Sequence, residues 1–119
     1  MIIGKTFTFD AAHYLPNYEG KCKNMHGHTW RVTFEVEGEL LTKGPNIKMV
    51  MDLNDLKTVA HLLLDKWDHH TLNIFFEHPT CEEVARKLSL RLQEYLPSGV
   101  TVHSVQVQEG EGGWARCEN

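Results

Sequence analysis

The stretch EGKCKNMHGHTW, residues 19–30, places Cys22 ahead of two histidines, His26 and His28, that share a single glycine. In an extended segment, residues two apart point the same way, so His26 and His28 offer both imidazoles on one side. Gly27 between them leaves room for close approach. His13 closes an alternating segment over residues 2–13 and can bring a third nitrogen from a neighbouring strand. Three neutral imidazoles with an open fourth position form the pattern of catalytic zinc. Imidazole also suits nickel, copper and iron, so the choice of zinc is an inference from ligand type. The plain alternative is a turn carrying two surface histidines. Cys22 has two possible roles. As a fourth ligand it closes a structural site; as a thiol beside a cation, flanked by Lys21 and Lys23, it is a nucleophile or base. Spacing does not choose between them.

Three further groups could do chemistry. In WDHHTLN, residues 67–73, an Asp next to a His can orient and charge the ring if the fold brings the side chains together. Neighbours in sequence seldom face one another, so the residues alone favour a helix end with His near the negative end of the dipole. Glu109 closes an alternating segment before a glycine-rich turn. It is either an acceptor for two parallel N–H groups of an amidine-like ring edge or an exposed turn residue, an ambiguity that Glu111 shares. Thr80 and Glu82 are explained as helix-start residues. His61, His78 and His103 have no comparable setting, and Cys81 and Cys117 read as small packing residues.

The elements that must hold these groups alternate along one domain, residues 1–119. Residues 2–13 form a strand with Phe7, Phe9, Ala11 and His13 on one face, and residues 14–25 form a loop. A half-buried strand over 28–37 follows, with Trp30, Val32, Phe34 and Val36 on its inner face. Residues 42–46 make a turn and 47–51 a short extended piece. The spacing of Leu53, Leu56, Ala60, Leu63 and Trp67 predicts a helix capped by Asp52. Thr80 and Glu83 read as a capping box for a second helix with Val84, Leu88, Leu92 and Tyr95 on its apolar stripe, stopped by Pro97. Residues 100–109 form a strand whose alternation changes phase between Val102 and Val105, by a bulge or burial on both faces. After Gly110, Gly112 and Gly113, residues 114–118 form a last strand. The order is ββααββ, an α+β fold with two helices on one face of an antiparallel four-stranded sheet.

Composition excludes several classes. A net charge of −4 with scattered basic residues argues against general nucleic-acid binding. No apolar run has the length of a membrane span, and the polar N-terminal stretch argues against a signal peptide. Three cysteines far apart in sequence argue against a disulfide framework and for a reducing cytoplasm.

Taken together, FDAAHYL (9–15), CKNMHGHTW (22–30), MVMDLNDLK (49–57), WDHHTLN (67–73), PTCEEVA (79–85) and VQVQE (105–109) resemble the 6-pyruvoyl-tetrahydropterin and 6-carboxytetrahydropterin synthase family. The resemblance implies a tunnelling fold whose strands join into oligomeric barrels, a homohexamer of two trimers with active sites between subunits. It implies zinc on His13, His26 and His28, and Cys22 as catalytic proton acceptor. Asp68 and His69 would relay charge from a neighbouring subunit. Glu109 would anchor the pterin's amino-pyrimidine edge, with Thr80 and Glu82 nearby. The three residues between Cys22 and His26 resemble the 6-carboxytetrahydropterin synthases of the queuosine pathway, which act on a pterin triphosphate. The rivals are a 6-pyruvoyl-tetrahydropterin synthase, a dihydroneopterin aldolase-like enzyme, and a non-catalytic zinc-stabilised binding module. The chain departs from the family pattern at Gly110, after the glutamate, at Trp67, and at His70, which adds a second histidine beside His69.

Overall fold

The computed structural model describes residues 1–119. Two long strands, β1 (Ile2–His13) and β2 (His26–Glu37), pair antiparallel along their whole length, with His13 opposite His26 and Ala11 opposite His28. Helix α1 spans Leu53–Leu64 and α2 Cys81–Glu94, with the two-residue strand β3 (His70–Thr71) between them. Strands β4 (Thr101–Glu109) and β5 (Trp114–Glu118) complete the sheet in the order β3-β1-β2-β4-β5.

Both helices pack on one face of the sheet, α1 over β1 and α2 over β4 and β5. The core between the layers holds Phe9, Trp30, Val32, Phe34 and Val36 from the strands, and Leu56, Leu63, Val84, Leu88 and Leu92 from the helices. The period-two and helical spacings of the sequence therefore meet in one apolar layer.

Several boundaries differ from the sequence expectation. The sheet is five-stranded, because the chain leaving α1 lays His70 and Thr71 parallel to Ala11 and Ala12. Strand β2 starts at His26, two residues early, because β1 pairs with it as far as His13. Helix α1 ends at Leu64, and Trp67 is buried in the turn beyond it, while Leu53 at the helix start is exposed. Tyr95 lies past the end of α2 and is exposed. Residues 47–51 are not extended: Lys48 is left-handed, and the segment folds back on Leu41 through hydrogen bonds from Lys48 N–H and to the Met49 carbonyl. The Thr80 hydroxyl accepts from Glu83 N–H at 3.1 Å, but the Glu83 carboxylate pairs with Arg86, so only half of the capping box forms. The phase change in β4 is a bulge: Ser104 faces Glu35 and Val102 faces Val36, leaving His103 without a partner across the ladder.

The bulge and the hairpin at Gly110 (φ 57°) set the register that delivers Glu109 opposite Trp30. At the outer edges, β3 covers only Ala11 and Ala12, and β5 has no further neighbour.

Candidate metal and catalytic site

The cross-strand register carries the three histidines to one end of the sheet. His13, His26 and His28 offer nitrogens that lie within 4.8 Å of one another. Their ring centroids are 4.6 to 5.2 Å apart. Trp30 supports them from below: it is fully buried, donates its Nε1–H to the Ala11 carbonyl at 3.1 Å, and meets His13 and His28 edge-on.

Main-chain carbonyls orient two of the rings. His13 Nδ1 lies 2.8 Å from the Pro79 carbonyl, and His26 Nδ1 lies 2.7 Å from the Asn24 carbonyl. A carbonyl only accepts, so Nδ1 carries the proton in both, and each Nε2 presents a lone pair to the shared space. The Nε2 atoms of His13 and His28 are buried without a hydrogen-bond partner. Buried, unpartnered nitrogens converging on one point are what a cation would satisfy, so the three residues fit a bound metal. Burial chiefly pushes the His28 pKa down, with His13 and His26 adding to the effect and Glu109 opposing it. A neutral imidazole is the form that binds metal.

Glu109 reaches the same space. Its Oε1 lies 3.0 Å from His13 Nε2 and 3.8 Å from His28 Nε2. With His13 neutral and protonated on Nδ1, the shorter contact sets lone pair against lone pair; it becomes a hydrogen bond only when the ring is cationic. In that cationic form the bond, with the neighbouring imidazoles, holds the Glu109 carboxyl below its usual range against the opposing effect of burial.

Cys22 sits half-buried on a single 3₁₀ turn, Lys21–Lys23, and is not in the group of clustered ligand atoms. Its carbonyl accepts from Leu15 N–H at 2.8 Å, which ties the turn to the chain just after His13. The Pro79 carbonyl, bound to His13, brings the start of α2 beside the cluster. Thr80 caps that helix and Glu82 lies exposed in its first turn. Cys81 is buried there, and burial pushes its thiol up to about 12, consistent with a packing residue.

Asp68 and His69 do face each other, contrary to the reading from adjacency alone. His69 adopts a left-handed conformation (φ 61°), and its Nδ1 lies 3.0 Å from Asp68 Oδ2. His70 instead turns its Nδ1 to the Asp68 carbonyl at 2.8 Å. A left-handed histidine costs about 1 kcal/mol or more, so the surrounding contacts must impose it. His69 and His70 line a cleft of about 540 Å³ together with Asp10, Ala12, Gly27, His28 and Thr29. A larger groove, about 660 Å³, runs between residues 39–52 and the end of α2 and contains none of the candidate residues.

The Asp10 backbone N–H, 2.9 Å from Asp68 Oδ1, is the main cause of a lowered Asp68 pKa, with the His69 contact adding to it. A carboxyl whose folded value is depressed stabilises the fold above its ordinary range and loses that contribution as pH falls through the folded value. The stability gap between wild type and Asp68→Asn should therefore be open at neutral pH and close below about pH 4 in denaturant titrations. Asp68 is more than a third exposed, so the gap is small and shrinks with salt.

Sequence reasoning missed the two carbonyls, Asn24 and Pro79, since main-chain groups leave no residue signature. It also passed over Asp10, whose polar place on the outer face of β1 is ordinary for a strand.

An α+β domain of order ββαβαββ, with three histidines converging at one end of its sheet, defines a tunnelling-fold protein with a metal-ready site. The sequence profile of the 6-pyruvoyl tetrahydropterin synthase family matches residues 2–119, and the chain belongs to that family. It is 42% identical, over 91% of its length and 85% of the relative's, to the 6-carboxy-5,6,7,8-tetrahydropterin synthase of Synechocystis sp.. It is 36% identical, over 87% of its length and 84% of the relative's, to the dihydroneopterin monophosphate aldolase of Pyrococcus furiosus. The 6-pyruvoyl tetrahydropterin synthase structure from Caenorhabditis elegans superposes with a TM-score of 0.84 at 28% identity, covering 100% of this chain and 95% of that one. No helix is long and apolar enough to cross a membrane.

Proposed function

We propose that the chain is a zinc-dependent 6-carboxy-5,6,7,8-tetrahydropterin synthase of queuosine biosynthesis. It converts 7,8-dihydroneopterin triphosphate to 6-carboxytetrahydropterin, with release of acetaldehyde and triphosphate. The observation that carries the reading is the convergence with His26 of the buried His13 and His28 nitrogens, which no donor satisfies, in a chain 42% identical to a protein of that name. The three-residue gap between Cys22 and His26 supports the same choice of product.

His13, His26 and His28 hold the metal, which when bound supplies Lewis-acid stabilisation of negative charge on substrate oxygens. Glu109, kept ionised, receives two parallel N–H groups of the amino-pyrimidine edge and fixes the ring so that the side chain reaches the metal. Thr80 and Glu82, at the start of α2, line the approach to that ring. Cys22 takes a proton from the substrate side chain, and Asp68 with His69 exchanges protons on the other side. The subunits assemble as a hexamer of two trimers through the open edges at β1 and β5, so that one chain's Asp68–His69 pair completes a neighbour's site. The reading places the enzyme in the cytoplasm.

The decisive experiment is incubation with dihydroneopterin triphosphate, with and without chelator, and identification of products by mass spectrometry. The expected result is chelator-sensitive acetaldehyde together with the 6-carboxy product. A pterin retaining all three side-chain carbons, with no aldehyde, would identify a pyruvoyl synthase. Retro-aldol cleavage without acetaldehyde would support the reading that the Pyrococcus relative favours, a dihydroneopterin aldolase. Absence of turnover, with Cys22 and all three histidines seen as ligands by X-ray absorption, would leave a zinc-stabilised binding module.

A further inference from the structure

Asp10 is the point on which the Asp68–His69 pair is mounted. Its N–H donates to Asp68 Oδ1 at 2.9 Å, and its carbonyl accepts from His69 N–H at 2.6 Å. Both ends of one residue thus hold the two members of the pair, and these bonds impose the left-handed backbone at His69. The Asp10 side chain is fixed in turn: Thr29 Oγ1, across the sheet on β2, donates to Asp10 Oδ1 at 2.6 Å. Oxygens of Asp10 and Asp68 and a ring nitrogen of His69 all lie within 4.8 Å of one another. One oxygen of each carboxylate is already engaged by a donor, and Asp68 Oδ2 by His69, so the cluster is a support for the imidazole rather than a free cage for a cation.

The His69 side chain is 77% exposed, so apolar packing does little to fix its ring. Its orientation depends on the polar groups around it: the carboxylates of Asp68 at 3.0 Å and Asp10 within 4.8 Å, with His70 and His28 also lining the cleft. A carboxylate at such a distance attracts a ring that carries positive charge and favours the rotamer that turns its N–H groups inward.

We propose that Asp10, held by Thr29, is a positioning residue for His69, its carboxylate acting as a second anionic partner that keeps the imidazole turned toward the cleft. The inference rests on the proposed relay role of Asp68 and His69. The backbone bonds from residue 10 survive any side-chain change, so substitution isolates the carboxylate. In the zinc-loaded full chain, Asp10→Asn keeps an oxygen for Thr29 but loses the charge. It should lower kcat by about 10-fold with KM unchanged within about 2-fold, as a misoriented catalytic group does. Metal content and Tm should match wild type, and the His69 ring signal in ¹H–¹⁵N spectra should show averaging between orientations. Thr29→Val, which frees the carboxylate without removing it, should lose about 3-fold in kcat.

Wild-type kcat in Asp10→Asn, or a loss of kcat matched by lower Tm or metal content, overturns the assignment. Asp68→Asn and His69→Ala in the same assay keep the two readings apart. If both turn over normally, the relay itself is wrong; if both collapse while Asp10→Asn is unaffected, only the positioning role fails.

Discussion

Cys22→Ala should lower turnover by about 10³-fold or more while the protein keeps a full complement of metal. The three histidine nitrogens lie within 4.8 Å of one another, and Cys22 is not among the clustered atoms. Its short turn is built from main-chain bonds, Lys23 N–H to the Gly20 carbonyl at 3.2 Å and Asn24 N–H to the Lys21 carbonyl at 3.0 Å. A third bond, from Leu15 N–H to the Cys22 carbonyl, anchors it to the end of β1. None of these involves the thiol, so removing it leaves the turn and the Asn24 carbonyl that orients His26 in place. The variant therefore tests chemistry rather than folding. Product formation from dihydroneopterin triphosphate and metal content by elemental analysis are measured on the same sample. Loss of metal in Cys22→Ala would make the cysteine a ligand and sink the catalytic assignment.

His26→Ala should strip the metal and abolish turnover without unfolding the chain, whereas His13→Ala should do both and destabilise the fold as well. The two residues face each other across the β1–β2 ladder, yet His26 is partly exposed and His13 is 1% exposed. Deleting the His26 ring frees the Asn24 carbonyl near solvent, where water replaces the bond. Deleting the His13 ring buries the Pro79 carbonyl without a donor and opens a cavity beside Trp30. An unsatisfied buried acceptor costs about 1–3 kcal/mol, and the lost ring volume adds to this. Chemical denaturation of the metal-free proteins reads the difference directly. Equal stability of the two variants would contradict the role of the Pro79 contact, and retained metal in His26→Ala would contradict the triad.

Much of this site was open to reading because its parts lie on strands. Alternation along residues 2–13 and 28–37, with His26 two residues before the second, puts His13, His26 and His28 on one face, and antiparallel pairing of the two strands brings them together. The Asp68–His69 contact was not open to that reading. Adjacent side chains diverge in ordinary backbone, and nothing local marks His69 as left-handed; bonds to Asp10, distant in sequence, impose it. Strand β3 was hidden for the same reason, since two residues carry no periodicity and pair only because the turn delivers them to β1. Tyr95 fitted the apolar stripe of α2 but falls past the helix end and is exposed.

EGKCKNMHGHTW on its own set the residue types and their local directions: two imidazoles on one side of an extended segment and a thiol upstream, with a three-residue gap that resembles the 6-carboxytetrahydropterin synthases. Only the tertiary structure decided which atoms meet. The carbonyls of Asn24 and Pro79 fix the ring nitrogens that face the shared space, Glu109 enters it from β4, and Cys22 is not among the clustered ligand atoms. Residue types and local spacing set which way a side chain points from its own strand. The partners of main-chain carbonyls and of a left-handed turn come from segments far along the chain, and those are fixed only when the layers pack.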